Sequence, residues 1–600
     1  MSTKEMPQKH QITKWHKILK FKHLNLSVFL CFRDLVALKS FQVISRNLSF
    51  VFAFFILTFF LFFGTACTQK QEPAKPNIVL ILADDMGYSD IGCFGSEIQT
   101  PNIDKLAAEG LMMTSMYNAA RCCPSRASLL TGLYPHQAGV GDMLQNDNLP
   151  AYQTRLNNQC VTLAEVLSTA GYQCFISGKW HLGNEPEGWP MKRGFHRQYP
   201  SNGTTAHYFG IVKGRDLVIE DTLRQPTGEW IKAGKMEYQL FKNDDGSQWY
   251  FTDAITDRAI NYIAELRKTD TEKPFFLYLP FTAPHWPLHA FEEDIQKYQG
   301  KYLGGWDSLR EARYKRMIEL GIISPEWKLS ERNPVAKDWN SLDDSTKHYY
   351  DRLMAVYAAM IDRMDQNIGK LLAALEKSGD KENTIILFLS DNGACHEPVH
   401  RGKPGALPGT PDSYDGYEYS WANASNTPFS WFKHWTHEGG SSTPFVAWYP
   451  KMIDAGRKDT QVAHIIDILP TLAEMAGAGY PKTFKGNEIV PAEGKSLVPL
   501  FRDASAKIEH DALFWEHEGN RAVRKGDWKL VSRFDYENRA EFPWELYNMK
   551  TDRSETENLI QDNPEMAVEL EKLYFDWAKR VQVVPYAELQ KIRRQKRNAN

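Results

Sequence analysis

The sequence predicts an α/β protein: a large mixed sheet flanked by helices, followed by a smaller C-terminal α+β domain built on an antiparallel sheet. Three observations carry this. Short apolar runs recur and stop abruptly at polar residues, amphipathic segments lie between them, and from about Asp511 the runs shorten and begin to alternate.

The apolar runs are NIVLILADD (Asn77 to Asp85), CFISGKWH (Cys174 to His181), FFLYLPFTAPH (Phe275 to His285), TIILFLSDNG (Thr384 to Gly393) and PFVAWYP (Pro444 to Pro450). Continuous rather than alternating hydrophobicity marks strands buried on both faces, as in a parallel or mixed sheet covered by helices. Between them, NIDKLAAEG predicts a helix capped by Gly110, and Tyr350 to Lys377 carries a helical apolar stripe up to Gly379. In the C-terminal part, ALFWEHEGN, RAVRKGDWKLVS and ELYNMKTD predict a small antiparallel sheet with a helix near Pro564 to Arg580. The basic tail KIRRQKRNAN is expected to be disordered. No internal repeat stands out.

At 600 residues the chain exceeds what one small core supports. The expected boundaries are 1–67 for a targeting segment, 75–508 for the main domain and 509–600 for the C-terminal subdomain. Hydrophobic residues make up 42% and charged residues 24%, an ordinary globular balance, and the net charge of -3 lacks the basic footprint of a nucleic-acid binder.

The first fifty residues are lysine-rich and nearly free of acid, and they lead into FVFAFFILTFFLFFG (Phe50 to Gly64). A membrane-crossing helix needs roughly 20 apolar residues, so this shorter run reads as the core of a signal peptide. GTAC, ending at Cys67, resembles a bacterial lipobox, although Gly64 stands where such boxes usually carry leucine. An exported, lipid-anchored protein of the periplasm or cell surface is expected, with simple cleavage near Ala66 as the alternative. Of the eight cysteines, Cys93, Cys122, Cys123, Cys160, Cys174 and Cys395 lie beyond this segment. They lack zinc spacing and are too sparse for a disulfide framework, with a Cys160–Cys174 bridge left open.

Ligands of open α/β sheets bind outside the carboxyl ends of the strands. The polar residues that end the apolar runs are therefore expected to meet in one crevice. Asp84 with Asp85 and Asp391 with Asn392 offer three carboxylates and an amide oxygen, a hard set suited to Ca²⁺ or Mg²⁺. Either pair alone would more often be a turn or helix cap, and it is the two pairs together at two strand ends that point to a metal. Lys179, His181, His285 and Lys433 add cations and proton-transfer groups, which together suit a tetrahedral oxyanion and point to ester hydrolysis at sulfur or phosphorus.

Cys122 to Gly132, CCPSRASLLTG, matches the signature CxPSRxxxLTG of the type I sulfatases. The resemblance runs from Pro76 onward through NIVLILADDMGYSD, GKWHLG, APHWP, SDNG, EGG, HIIDILPTLAEMAG and LYNMKTDRSETENL, and it is nearest to bacterial arylsulfatases through TGLYPHQAGVG and WANASNTPF. It implies an alkaline-phosphatase-like fold. It also implies that a maturation enzyme oxidises Cys122 to formylglycine (3-oxoalanine), with Cys123 a bystander. One hydroxyl of the aldehyde hydrate would attack sulfur, and the other would expel the covalent sulfate by elimination. The hydrate would share one Ca²⁺, or Mg²⁺, with Asp84, Asp85, Asp391 and Asn392. Arg126 would orient it, Lys179 and Lys433 would bind sulfate oxygens, His285 would protonate the leaving oxygen, and His181 would take the proton in elimination. Ser442 stands where some relatives carry arginine, which puts the nearby pocket rim in question.

The substrate class implied is an aryl or carbohydrate sulfate ester. A formylglycine-dependent phosphonate monoester hydrolase or phosphodiesterase and a non-catalytic sulfated-glycan-binding lipoprotein are the alternatives. The aromatic segment Ser413 to Trp435 is expected to wall the pocket through Tyr419 and Trp421, or else to pack beneath a long loop. His136 could face the crevice and is given no role. Asn202-Gly203-Thr204 and Asn423-Ala424-Ser425 fit the N-glycosylation pattern by chance.

Overall fold

A computed structural model describes residues 75–599 apart from 202–206, 215–216, 221 and 225–227. The expected targeting segment, Cys67 and the Asn202 sequon fall outside the described residues. Strands β1 (Asn77–Asp84), β2 (Leu111–Tyr117), β3 (Gln173–Lys179), β4 (Arg197–Ser201), β5 (Leu217–Ile219), β6 (Thr222–Arg224), β7 (Phe275–Pro284), β8 (Thr384–Ser390), β9 (Ser442–Trp448), β10 (Arg457–Asp459) and β11 (Ala463–His464) share one 11-stranded sheet. Their order is β10-β2-β9-β8-β1-β7-β3-β4-β5-β6, with β11 beside β2. Strands β8, β1, β7, β3 and β4 are mutually parallel, whereas β9 is antiparallel to both its neighbours, so the sheet is mixed as the sequence predicts.

The principal helices are α1 (Pro101–Ala108), α2 (Cys122–Thr131), α3 (Leu163–Thr169), α4 (Phe251–Thr269), α5 (Gly305–Glu319), α6 (Asp344–Ser378), α7 (Glu418–Ser425), α8 (Ile468–Ala476), α9 (Pro564–Arg580) and α10 (Tyr586–Ala599). Alternation along β1 sends Val79, Ile81 and Ala83 into one core, with α4 and α6. Ile78, Leu80 and Leu82 enter a second core, with α2, α3 and α8. Burial on both faces is why the run reads as unbroken hydrophobicity, each large side chain stabilising by about 1.5–3 kcal/mol. Helix α6 starts upstream of its apolar stripe because the Asp343 side chain caps it by accepting from Thr346 N, and it closes at Gly379, whose φ is 79°. Gly110 has a different role from the cap expected. A Cβ there would lie 2.3 Å from the carbonyl oxygen of Ala447, so glycine permits α1 to approach β9.

The C-terminal part forms a four-stranded antiparallel sheet of β12 (Leu513–His517), β13 (Asn520–Lys525), β14 (Trp528–Ser532) and β15 (Glu545–Asn548). Helix α9 packs on it through Leu570, Tyr574 and Trp577. The basic tail corrects the expectation of disorder: it belongs to α10. Leu589 is buried with Tyr152, and Arg593 Nη2 lies 2.6 Å from both Asp142 Oδ2 and Asp147 Oδ2, so one apolar anchor and two ion pairs hold the helix. The Cys160–Cys174 bridge is also corrected, because both thiols are free and buried in the second core. Among the described residues no helix is long and apolar enough to cross a membrane.

Candidate active site

The carboxyl ends of β1, β3, β7 and β8 converge as the sequence predicts. Asp84 ends β1, Lys179 ends β3, His285 follows β7, and Asp391 and Asn392 follow β8. All five are 4% exposed or less, so every charge here must be matched nearby. Close backbone packing makes this convergence feasible. A Cβ on Gly393 would lie 1.8 Å from Gly439 O and one on Gly439 2.2 Å from Trp431 O, so the DNG and EGG turns both need glycine.

Three cations answer three carboxylates. Arg126 donates from Nε and Nη2 to Asp391 Oδ2, at 3.0 and 2.7 Å, and from Nη1 to Lys179 O at 3.0 Å. Lys179 Nζ donates to Asp84 Oδ2 at 2.6 Å, and Lys433 Nζ donates to Asp85 Oδ2 at 2.8 Å. His285 Nδ1 lies 2.6 Å from the Trp286 carbonyl and must donate to it, which turns Nε2 toward Asp85 Oδ2 at 3.3 Å. Asp85 takes a left-handed φ of 67°, a conformation that an aspartate tolerates better than most residues.

Two oxygens lack a hydrogen-bond donor, although Arg126 Nη2 lies 3.6 Å from the first of them. Asp84 Oδ1 and Asn392 Oδ1 are buried and accept no hydrogen bond, while Asn392 Nδ2 donates to Asp85 Oδ1 at 2.7 Å. Burial, followed by repulsion from Asp84, pushes Asp391 up to about 8. Burial also raises Asp84 despite Lys179 and Arg126. For Asp85, burial is outweighed by His285 and Lys433, which hold it below its ordinary value. Crowded carboxylates that resist ionisation beside orphaned oxygens fit a hard divalent cation. With the three basic side chains charged and both histidines neutral, the ring of groups balances formally. A divalent ion would then leave net positive charge for an anionic substrate.

Cys122 is the first residue of α2 and is 2% exposed, facing this cluster. Hydrogen bonding from Cys123 draws its thiol well below the usual value against the effect of burial, and Lys179 and Lys433 assist. Cys123 turns away into the second core, with Sγ 3.9 Å from Met143 Sδ. His181 sits beside Cys122 with φ 57°, and burial followed by Lys179 lowers it to about 3. Burial lowers His285 to about 4. The catalytic and metal-ligand candidates Asp84, Asp85, Cys122, Arg126, Lys179, His181, His285, Asp391, Asn392 and Lys433 are thus brought into one buried site.

The flanking segments differ from expectation. Trp421 does not wall a pocket: it is 0% exposed, donates from Nε1 to Tyr350 O at 2.9 Å and packs on Trp306 and Tyr302. Tyr419 packs on His396 and Phe432, so an aromatic-rich loop has formed its own core. Asn423 is buried in α7 and its Asn-Ala-Ser triplet is no accessible glycan acceptor. His136 bonds Glu516 at 2.9 Å beneath the C-terminal sheet. Ser442 is buried too. Its hydroxyl donates to Glu438 at 2.8 Å and receives Arg553 Nη2 at 3.0 Å, so a guanidinium from the late LYNMKTDR segment occupies that neighbourhood.

Sequence reasoning missed a second ring of charge. Glu397 accepts from Arg121 Nη1 at 3.1 Å and from Trp286 Nε1 at 2.9 Å, and it is held well below its ordinary value by Lys433 and Arg121 acting against burial. Arg121 adjoins the signature, which was the available signal; Glu397 lies on a loop with no periodicity.

Comparison with known proteins places this geometry. The sulfatase family model matches residues 76–478, and the model for the N-sulphoglucosamine sulphohydrolase C-terminal region matches 428–576. An uncharacterized sulfatase of Schizosaccharomyces pombe is 34% identical over 84% of this chain and 94% of its own. An arylsulfatase of Klebsiella aerogenes is 34% identical over 72% of this chain and 93% of its own. The crystal structure of Ps i-CgsB, also solved with k-i-k-neocarrahexaose, superposes with a TM-score of 0.58 at 26% identity, covering 84% of this chain and 93% of that one. Matches of this extent, over the strands that carry the buried cluster, make the chain a member of the sulfatase family and an enzyme of sulfate-ester hydrolysis.

Proposed function

We propose that the chain hydrolyses aryl or carbohydrate sulfate esters with a nucleophile derived from Cys122 and one divalent cation. The observation that supports this most directly is the position of Cys122 at the N-terminus of α2, buried among three carboxylates and the side chains of Lys179, Lys433, His181 and His285. The hydrate of 3-oxoalanine at this position would supply the attacking oxygen and a hydroxyl for sulfate release, and Ca²⁺, or Mg²⁺, held by Asp84, Asp85, Asp391 and Asn392 would supply positive charge at sulfate oxygens.

The chain's own residues carry the rest. Lys179 and Lys433 already sit as ammonium donors beside Asp84 and Asp85, so each can turn part of its donor capacity to a sulfate oxygen without moving a charge into the site. With Nδ1 committed to the Trp286 carbonyl, His285 presents Nε2 to the crevice and is the proton donor to the leaving oxygen; the anionic substrate offsets the burial that otherwise depresses it. His181, next to Cys122, accepts the proton from the hydrate hydroxyl. Arg126 fixes Asp391 and, through Lys179 O, the end of β3.

A maturation enzyme is the partner this reading needs, and export with an anchor at Cys67 is the matching location. The test is turnover by the matured protein of 4-nitrophenyl sulfate, sulfated monosaccharides and sulfated polysaccharides against a phenylphosphonate ester. Sulfate release from the first three supports the reading. A preference for the phosphonate would assign the site to phosphorus, and no turnover with an unmodified Cys122 thiol would leave a glycan-binding protein.

A further inference from the structure

Beside the catalytic crevice, but using none of its oxygen ligands, lies a second set of donors. His434 follows Lys433. His517 ends β12, and Glu518 opens the two-residue turn to β13, with φ 48° followed by Gly519 at 86°. One donor atom from each of the three lies within 4.8 Å of the others. His434 Nδ1 is 3.2 Å from Glu518 Oε2, and the two imidazoles meet edge to face with centroids 5.3 Å apart.

The hydrogen bonds around Tyr536 favour a proton on Nε2 of His434. The Tyr536 hydroxyl has one proton, and it is given to the Glu518 carbonyl oxygen at 3.0 Å. The same oxygen accepts from Asn520 Nδ2 at 2.8 Å. Its contact with His434 Nε2 is therefore one in which the imidazole donates. A neutral His434 then turns the lone pair of Nδ1 at a carboxylate oxygen. Burial keeps it neutral, holding it well below its ordinary value, with His517 adding repulsion.

His517 deepens the imbalance. It is 0% exposed, and neither of its ring nitrogens has a hydrogen-bond partner. Such a group is rare in a folded interior, where buried polar atoms are almost always satisfied. Two imidazoles and a carboxylate gathered within 4.8 Å, one of the rings without any hydrogen-bond partner, are a donor set a borderline cation stabilises.

We propose that His434, His517 and Glu518 form a second metal site, which binds a zinc-class divalent ion and is separate from the Asp84–Asp85–Asp391–Asn392 cluster. The donor set is two nitrogens and one oxygen, unlike the all-oxygen set of the crevice, so the two sites select different ions. Asp142, which Arg593 holds at 2.6 Å and Met143 N at 2.7 Å, also meets the Glu518 side chain and so stands beside the three donors. Tyr536 holds the His434 ring as a hydrogen-bonded partner holds a metal-bound imidazole. The ion joins the β12–β13 turn to the segment carrying Lys433, so it is a clamp that positions that lysine.

The test uses the full chain, stripped with a zinc-selective chelator and then kept in excess Ca²⁺. Titration with Zn²⁺, followed by desalting and elemental analysis, is expected to leave one equivalent of zinc bound. Zinc is expected to raise the melting temperature of the wild type but not of His517→Gln, whose circular dichroism reports whether it folds. His510→Ala, at a part-buried histidine paired with Asp467 elsewhere, should retain the zinc. X-ray absorption should show nitrogen and oxygen donors only. Loss of all zinc on desalting, zinc retained equally by folded His517→Gln, or sulfur in the coordination sphere would each overturn the proposal. Should His517→Gln not fold, Glu518→Gln with the same readouts decides it.

Discussion

Arg126 places two donors, Nε and Nη2, on a single oxygen of Asp391, and all the atoms involved are buried. A planar fork can do this and an ammonium cannot. Arg126→Lys is therefore expected to keep the charge yet free Asp391 to shift, weakening Ca²⁺ binding and lowering kcat. Arg126→Ala should also cost about 3–5 kcal/mol of stability, because it leaves a buried carboxylate unpaired. Calcium titration of both variants, together with their unfolding midpoints, checks this; unchanged calcium affinity in Arg126→Lys would sink it.

The two adjacent cysteines should respond oppositely. Cys122→Ser, made in a host that converts only cysteine, is expected to lose all turnover while folding normally. Cys123→Ala should stay active once residue 122 has been matured and no longer carries the thiol that Cys123 hydrogen-bonds, and it should lose about 1 kcal/mol of stability, since Cys123 fills the second core. Mass spectrometry of the signature peptide should find an aldehyde in place of one thiol, at position 122.

Lys433 Nζ donates to Asp85 Oδ2 at 2.8 Å and lies 3.8 Å from Cys395 Sγ. Replacing it by alanine is expected to lower kcat about 10²–10³-fold, the cost of one oxyanion contact. An effect confined to KM would show that it binds ground state and transition state alike.

Helix α10 offers a stability test of its own. Arg593→Ala removes both ion pairs to Asp142 and Asp147 and should detach the helix. A loss of about 1–3 kcal/mol is expected, read as a lower unfolding midpoint in denaturant.

What the sequence revealed follows the reach of each physical signal. Two-sided burial writes strands such as β1 and β8 as unbroken apolar runs, and polar residues at their ends stand out sharply, so Asp84, Asp391 and Lys179 were legible. Cys122 and Arg126 were legible only through the family signature, since α2 has no amphipathic stripe to set it apart. Trp421 misled because aromatic density reads the same whether it lines a pocket or fills a core; only its contacts with Trp306 and Tyr302 decide. The α10 tail misled because its charges outnumber its apolar residues, and the partners Asp142 and Asp147 lie more than 400 positions away. His517 and Glu518 fall in ALFWEHEGN, whose alternation speaks only for a small antiparallel sheet, and no local pattern ties them to His434.

Glu438 binds the C-terminal sheet to the crevice. Its carboxylate takes Lys529 Nζ at 2.8 Å, Arg553 Nε at 2.7 Å and the Tyr117 hydroxyl at 2.9 Å, all buried. Lys529 and Arg553 outweigh burial and hold it well below its ordinary 4.5. A carboxylate depressed by folding stabilises the native state at pH above its unfolded value, and that contribution fades as pH falls below about 4.5 toward the folded value. Glu438→Gln is therefore expected to be less stable than wild type by about 3–5 kcal/mol near neutrality. The gap should narrow as pH drops below about 4.5, because protonation then removes the same charge from the wild type. Urea unfolding of both proteins from pH 7 to pH 3 measures this, and a gap that stayed constant or widened with acid would show that Glu438 is not the ionised tie between the two sheets.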